Sequence, residues 1–128
     1  MDKPFATSAK TMTFIVTRDR TKSKAFYGAV LGFALTSEDD FAAVFDTNGT
    51  KLRISTVPNH APAAHTVLGW EVSDIVATVK SLTAKGVKFT VYEGFGQDNL
   101  GIWKAPGSSS RVAWFLDPDG NNLSLTQF

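Results

Sequence analysis

The sequence contains no cysteine, and this absence excludes several kinds of site at once. A chain without thiols forms no disulfide, offers no thiolate to a metal ion and has no cysteine nucleophile. Histidine is also scarce, because only His60 and His65 are present. Imidazole ligands for zinc, iron or nickel are therefore restricted to two positions that lie five residues apart.

An excess of charge of either sign is missing as well. Thirteen Lys and Arg stand against twelve Asp and Glu, the formal net charge is +1, and no dense block of like charge occurs. The sequence therefore predicts neither nucleic acid nor an anionic membrane surface as a partner. It also lacks an apolar run of the length of a secretory signal or of the roughly 20 residues that a membrane span needs. The predicted location is the cytoplasm.

What is present is a regular order of short elements in a chain with 43% hydrophobic residues, typical of a globular domain. Runs rich in β-branched and aromatic residues predict strands, and a capping Asp with a later Gly brackets a helix. The predicted elements of the first half are a strand at 11–17, a helix between Asp19 and Gly32, and strands at 33–37, 41–45 and 51–55.

The same order returns after a segment with two prolines at 57–65, which we interpret as a linker. The predicted elements of the second half are a strand at 67–73, a helix between Asp74 and Gly86, a strand at 87–92, and a hairpin of 111–116 and 122–128 joined by the turn sequence DPDG. The chain therefore reads as two βαβββ units.

The two halves differ mainly in length. DTNGTKLRI (46–54) aligns with DPDGNNLSL (117–125) without a gap. The capping Asp and the turn are 27 residues apart in the first half and 43 in the second. The surplus of 16 falls in the glycine- and serine-rich segment 93–110. This segment is either an ordinary surface loop or a binding loop, and Trp103 within it favours binding because a large aromatic ring is costly to leave in water.

Three segments resemble the vicinal oxygen chelate superfamily of glyoxalases, bleomycin resistance proteins and extradiol dioxygenases. They are TFIVTRDRTKSKAFYGAVLGF (13–33), WEVSDIVATVKSLTAKGVKF (70–89) and VAWFLDPDGNNLSLTQF (112–128). The resemblance implies an α+β fold in which two βαβββ modules form an open barrel around a cleft, within one chain or across a homodimer. We expect one domain over residues 1–128, with module one at about 11–56, the linker at about 57–65 and module two at about 66–128.

Metal-binding members of this superfamily commonly place ligands seven residues before each capping Asp and four residues after each turn glycine. The matching positions here are Met12, Val67, Arg53 and Ser124. None of the four suits Zn²⁺, Fe²⁺, Ni²⁺ or Mn²⁺, and Arg53 would put a positive charge where the cation should lie. The sequence therefore predicts no metal and no cofactor.

Strand alternation assigns faces to these positions. Aliphatic residues face the core, and mixed and polar ones face the cleft. The residues predicted to bind a ligand are Met12, Phe14, Arg53, Val67, Trp103, Trp114 and Ser124. Two choices stay open. Arg53 pairs with an anionic ligand, or it pairs with an acid such as Glu71 or reaches out to solvent. Either Trp114 or its neighbour Phe115 faces the cleft. Trp70 and Phe26 are assigned to the core.

Four functions are compatible with this pattern. The first is a metal-free domain that binds a small aromatic or anionic molecule. The second is a metal-dependent enzyme, an isomerase or lyase like lactoylglutathione lyase or a dioxygenase, with ligands at other positions. The third is a cofactor-free enzyme in which Arg53 stabilises an oxyanion and His65 or Glu71 acts as base. The fourth is an interaction module with a filled cleft. Whether the protein is an enzyme, and which residues are catalytic, stays open.

Overall fold

A computed structural model describes residues 2–128 and shows two four-stranded sheets, each following a βαβββ order. The elements are β1 (Met12–Thr17), α1 (Arg20–Ala25), a π-helical turn (Phe26–Val30), β2 (Ala34–Glu38), β3 (Ala42–Thr47), β4 (Thr50–Thr56), β5 (Thr66–Glu71), α2 (Ile75–Ala84), β6 (Trp103–Lys104), β7 (Arg111–Leu116) and β8 (Asn122–Gln127). None of the helices between residues 2 and 128 is both long and apolar enough to cross a membrane.

The strand orders of the two sheets match. The first sheet is β1-β4-β3-β2 and the second is β5-β8-β7-β6. In each sheet the first strand runs parallel to the last, and the other pairings are antiparallel. The edge strands β1 and β5 lie next to each other. The α+β fold of two βαβββ modules is therefore confirmed, as two separate sheets rather than one closed barrel.

The helix boundaries follow from local sequence. The Asp19 side chain accepts a hydrogen bond from the Lys22 amide at 3.2 Å, and the Asp74 side chain accepts one from the Ala77 amide at 3.0 Å. Both contacts satisfy amides at the first turn that the helix leaves unpaired. Gly32 has φ 82° and ends the first helical segment in the left-handed conformation that glycine tolerates.

The predicted strand at 87–92 is wrong. Phe89 forms only an isolated bridge to Phe115, and the Tyr92 amide donates to the Gln97 side chain instead of to a neighbouring strand. The fourth strand of the second sheet comes from the long loop, where β6 pairs with β7. The insertion thus supplies its own strand, which takes the edge position that the duplication assigned to 87–92.

The gapless sequence alignment of the two hairpins does not match their strand pairing, because the second hairpin has one more residue between paired positions. Phe45 pairs with Leu52, seven residues later, whereas Phe115 pairs with Leu123, eight residues later. The first hairpin turns through Asn48 and the glycine after it, both with positive φ, as a tight two-residue turn requires. The second hairpin contains the predicted DPDG turn, closed from the Gly120 amide to the Asp117 carbonyl, and is longer.

One hydrophobic core serves both modules. The inner faces of the two sheets meet in it, and α1 with its π-helical turn packs against both. Tyr27 lies 6.4 Å from Phe45 of the first sheet, and Phe26 lies 6.4 Å from Phe115 of the second, as distances between ring centroids. Trp70 stacks on Phe115 and belongs to the core side, as predicted. The opposite face of each sheet therefore points away from the common core.

Polar groups of the turn between β7 and β8 join the modules. This clasp consists of Asp117, Asp119 and Asn121, all nearly buried. Tyr27 donates its hydroxyl hydrogen to Asp117 at 2.8 Å, and Asp119 accepts from the Arg18 amide at 2.8 Å. These bonds connect residues about a hundred positions apart and therefore fix the second module against the end of β1.

Asn121 adds one of the two histidines to the clasp. Its Nδ2 donates to the Val16 carbonyl and to the Asp117 carboxylate, so its Oδ1 faces His60 Nε2 at 2.8 Å. His60 therefore donates this bond and has a structural partner. His65 is exposed at the end of the linker.

Candidate functional site

The outward face of the first sheet presents three of the predicted ligand-binding residues. Met12 and Phe14 on β1 are 40% and 61% exposed, and Phe14 pairs with Arg53 on β4. Met12 and Arg53 thus lie on the face of the first sheet that points away from the core, as strand alternation predicts. Met12 and Phe14 thus expose apolar surface beside the Arg53 guanidinium.

Arg53 forms no ion pair within 4.0 Å in residues 2–128, so the alternative pairing with Glu71 is not found. Its charge acts on Asp39. The pKa of that carboxyl is lowered chiefly by hydrogen bonds from the Phe41 and Ala42 amides, with a smaller contribution from Arg53. The guanidinium therefore keeps its donors available on the outward face.

The outward face of the second sheet has Ser124 at its centre. Ser124 on β8 pairs with Gly69 on one side and Trp114 on the other. A Cβ atom on Gly69 would lie 2.8 Å from Ser124 Oγ, so glycine is required there to leave room for the hydroxyl. Phe115 is fully buried and Trp114 is not, which decides the open choice between them: Trp114 faces outward.

Four aromatic rings cover this part of the outward face. The aromatic cluster consists of Tyr92, Phe95, Trp103 and Trp114. Trp114 is its centre, with ring centroids 5.4 Å from Tyr92, 5.9 Å from Phe95 and 5.9 Å from Trp103. The rings meet at tilted or edge-to-face angles, which are favourable aromatic geometries. Phe95 is 47% exposed, so the cluster presents aromatic surface to the solvent.

Two of these rings were not anticipated. The predicted strand at 87–92 contains Tyr92 and the predicted loop at 93–110 contains Phe95, and neither residue is among those predicted to bind a ligand. The signal in the sequence is the density of aromatics in and beside a glycine-rich insertion, since Tyr92, Phe95 and Trp103 lie within twelve residues. Strand periodicity gives no weight to such spacing.

The loop that supplies the cluster is held by its own hydrogen bonds. Gln97 donates from Nε2 to the carbonyls of Thr90 and Gly101 and accepts from the Tyr92 amide. Asp98 accepts from the amides of Leu100 and Ile102. Trp103 lies in β6, paired with β7. The segment is therefore a fixed wall of the face and not a free surface loop.

The candidate residues fall into two groups, one on each sheet. Met12, Phe14 and Arg53 lie on the first sheet, and Trp103, Trp114 and Ser124 lie on the second. Strands β1, β5 and β8 separate Arg53 from Trp114.

The fourth metal position, Val67, lies in a bulge of β5, because the pairing with β8 shifts between Thr66 and Leu68. Val67 has no donor atom, Met12 offers only a thioether, Arg53 is a cation and Ser124 offers a neutral hydroxyl. This donor set does not fit a divalent cation. Between residues 2 and 128, no three His, Asp or Glu side chains gather closely enough to hold a metal ion.

The sequence matches the family model of the Glyoxalase/Bleomycin resistance protein/Dioxygenase superfamily over residues 10–125. The chain belongs to this superfamily. No curated protein matches it.

Solved structures of superfamily members share the fold. A glyoxalase family protein from Enterococcus faecalis has a TM-score of 0.74 at 16% identity, covering 94% of this chain and 98% of its own. The bleomycin resistance determinant encoded on transposon Tn5 has a TM-score of 0.73 at 21% identity, with the same coverage. A superfamily member from Sphaerobacter thermophilus has a TM-score of 0.73 at 23% identity, again with the same coverage. At such identities the likeness extends to the fold and not to the ligand.

Proposed function

We propose that this superfamily member is a metal-free, small-molecule-binding protein that acts in the cytoplasm as a homodimer, with residues 1–128 forming one domain. The observation that carries the proposal is the aromatic cluster beside the nearly buried Ser124, with Phe95 exposed to the solvent. Aromatic walls with a few placed polar groups are the usual composition of a site for an organic ligand.

A second copy completes the site in this proposal. Arg53 and the aromatic cluster lie on different sheets of one chain, with β1, β5 and β8 between them. In this proposal the guanidinium that reaches a ligand on the aromatic cluster comes from the second copy. Packing the first sheet of one protomer over the second sheet of its partner would cover Phe14 and bring a guanidinium to the cluster.

The class of ligand follows from these groups. Arg53 is a cation whose donors face outward, and a guanidinium binds carboxylates through two parallel hydrogen bonds. The aromatic cluster favours a flat ring system. We therefore infer a planar aromatic acid as the ligand. A cationic drug fits less well, because Arg53 would repel it.

A metal-dependent reaction is the weaker candidate. The four family positions do not fit a divalent cation, and the remaining histidines do not compensate, since His60 donates to Asn121. Binding without chemistry needs only affinity, so the proposal assigns no catalytic residue.

The test is a fluorescence titration of the protein with a panel of naphthoic, indole and quinoline carboxylic acids. Trp103 and Trp114 lie in the site, so a bound ring should quench their emission. Arg53→Met should weaken binding about tenfold or more, because it removes a charge-assisted hydrogen bond. Lys51→Met is the matched control, since Lys51 lies on the same strand and face and loses the same charge. Equal losses in both variants would reject the role of Arg53.

Native mass spectrometry of freshly purified protein separates the two functions. The proposal expects a dimer with no stoichiometric metal and, where the ligand survives purification, an added organic mass. One metal ion for each chain in protein prepared without chelator would instead support the metal-dependent enzyme. A monomer at micromolar concentration would contradict the shared site.

A further inference from the structure

The duplication of the fold leaves one position unequal between the modules. Eight residues after its capping Asp, the first module has Tyr27 and the second has Leu82. Tyr27 is fully buried, lies beside Phe45 and donates its hydroxyl to Asp117 in the hairpin turn of the other module. A phenol ring thus fills the contact between the first helical segment and the opposite turn.

The corresponding contact of the second module is open. Phe115 is the counterpart of Phe45, because each pairs with a leucine at the start of the last strand of its module. Beside Leu82 and Phe115 lies a cavity of about 240 Å³ that also reaches Asn48, in the hairpin turn of the first module. We call this cavity the inter-module slot. Leucine is shorter than tyrosine, and the slot lies where the missing ring would extend.

The walls of the slot suit an aromatic ring. Phe33 and Trp70 stack on each other with ring centroids 5.6 Å apart, and both line the slot. An apolar cavity of about 150 Å³ accommodates benzene, so this volume holds one substituted ring. The hydroxyl of Thr78, also in the lining, already donates to the Asp74 carbonyl. Glu71, also in the lining, follows the core-facing Trp70 on β5, so strand alternation directs its side chain to the other face, and the Asn48 amide is the polar side chain at the turn end.

We propose that the inter-module slot is a binding site for small monocyclic phenols. The ring lies between Leu82 and the Trp70–Phe33 stack, and the phenol hydroxyl bonds to the Asn48 side chain, as Tyr27 bonds to Asp117. This site is on the core side of the second sheet, whereas the aromatic cluster is on its outward face. The proposal therefore does not depend on the proposed function.

The probe is p-cresol, which is the side chain of tyrosine as a free molecule. Titration followed by two-dimensional ¹H–¹⁵N NMR reports on three indole N–H signals, because the chain has three tryptophans. We expect a saturable shift of the Trp70 signal, with those of Trp103 and Trp114 nearly unchanged. Tryptophan-to-phenylalanine variants assign the three signals. Saturable shifts of Trp103 or Trp114 instead, or no saturation up to the solubility of p-cresol, would overturn the proposal.

Two variants sharpen the test. Leu82→Tyr fills the slot with a tethered phenol and should abolish the Trp70 shift without lowering the unfolding temperature. Asn48→Gly keeps the positive φ of the turn and removes the amide. It should weaken p-cresol about three- to tenfold and leave toluene, which has no hydroxyl, unaffected. If Leu82→Tyr does not fold, Asn48→Gly still decides: equal affinity for p-cresol in wild type and variant contradicts the assigned orientation. Arg53→Met should change neither result.

Discussion

Replacing Tyr27 by phenylalanine tests whether the clasp joins the two modules. Tyr27 is fully buried, and its hydroxyl donates to the Asp117 carboxylate at 2.8 Å. Burial, together with the nearby Asp117, raises the pKa of Tyr27 far above its ordinary value, so the hydroxyl keeps its proton and is the donor. The substitution deletes one oxygen and leaves the ring contacts in place.

The expected loss follows from what Asp117 retains. Its carboxylate still accepts from the amides of Asp119 and Asn121 and from Asn121 Nδ2. A hydrogen bond to a charged group contributes about 1.5–3 kcal/mol, and three remaining donors favour the lower part of that range. We expect the free energy of unfolding to fall by about 2 kcal/mol. For a chain of this size the melting temperature should fall by roughly 6–10 °C.

The assay is urea unfolding followed by tryptophan fluorescence and circular dichroism, at one fixed protein concentration because self-association would add to stability. Tyr92→Phe is the matched control. The Tyr92 hydroxyl accepts from Asn122 Nδ2, a neutral donor that also reaches the Ala64 carbonyl, so its loss should cost only about 0.5–1 kcal/mol. A Tyr27→Phe loss no larger than that of Tyr92→Phe would refute the role of the clasp.

Three further outcomes are expected. Ser23→Ala should stabilise the fold by about 1 kcal/mol in urea unfolding, because the buried Ser23 hydroxyl has no partner in the described chain and alanine favours the helix; a destabilised variant contradicts this. Burial acts to raise the pKa of Asp119, but hydrogen bonds from Thr17 and Arg18 outweigh this effect, and the pKa is lowered. The contribution of Asp119 to the free energy of unfolding is therefore full above about pH 4 and is lost as the pH falls below that value. Unfolding measured from pH 6 to pH 3 should therefore depend less on pH in Asp119→Asn, and parallel curves would reject this. Gly69→Ala should lower the free energy of unfolding by about 1–3 kcal/mol in thermal unfolding, because the new methyl group would meet Ser124. Adding Ser124→Ala to this variant should restore part of the loss, and additive losses would exclude the clash.

The sequence was sufficient for the fold because its signals are local. Asp19 and Asp74 cap helices through bonds to amides three residues away, and alternation along β4 and β8 places leucines inward. The failure at 87–92 has the opposite cause. That segment has the composition of a strand, but it contacts β7 only at Phe89 and Thr90, and β6 pairs with the other end of β7. Pairing between distant segments is not encoded in either segment alone.

The candidate site was predicted only in part for the same reason. Arg53, Trp114 and Ser124 were found because a strand has two faces and one of them must be outward. Tyr92 and Phe95 were not, because a loop has no such period, and their contacts with Trp114 arise from the hydrogen bonds of Gln97. Alternation likewise assigns a face but no distance, so it does not say how far Arg53 on the first sheet lies from Trp114 on the second.

The two halves of the duplication differ in how each helical segment meets the turn of the opposite module. Two identical βαβββ units would make the same contact twice, with each helix against the opposite turn. In this chain one contact is closed by buried polar groups, Tyr27 with Asp117, and its counterpart at Leu82 is apolar and open. A buried hydrogen-bonded contact fixes relative orientation, because any displacement leaves a carboxylate without its donor. The clasp thus acts together with the common core in holding the modules in place, and the contact at Leu82 is left with a cavity.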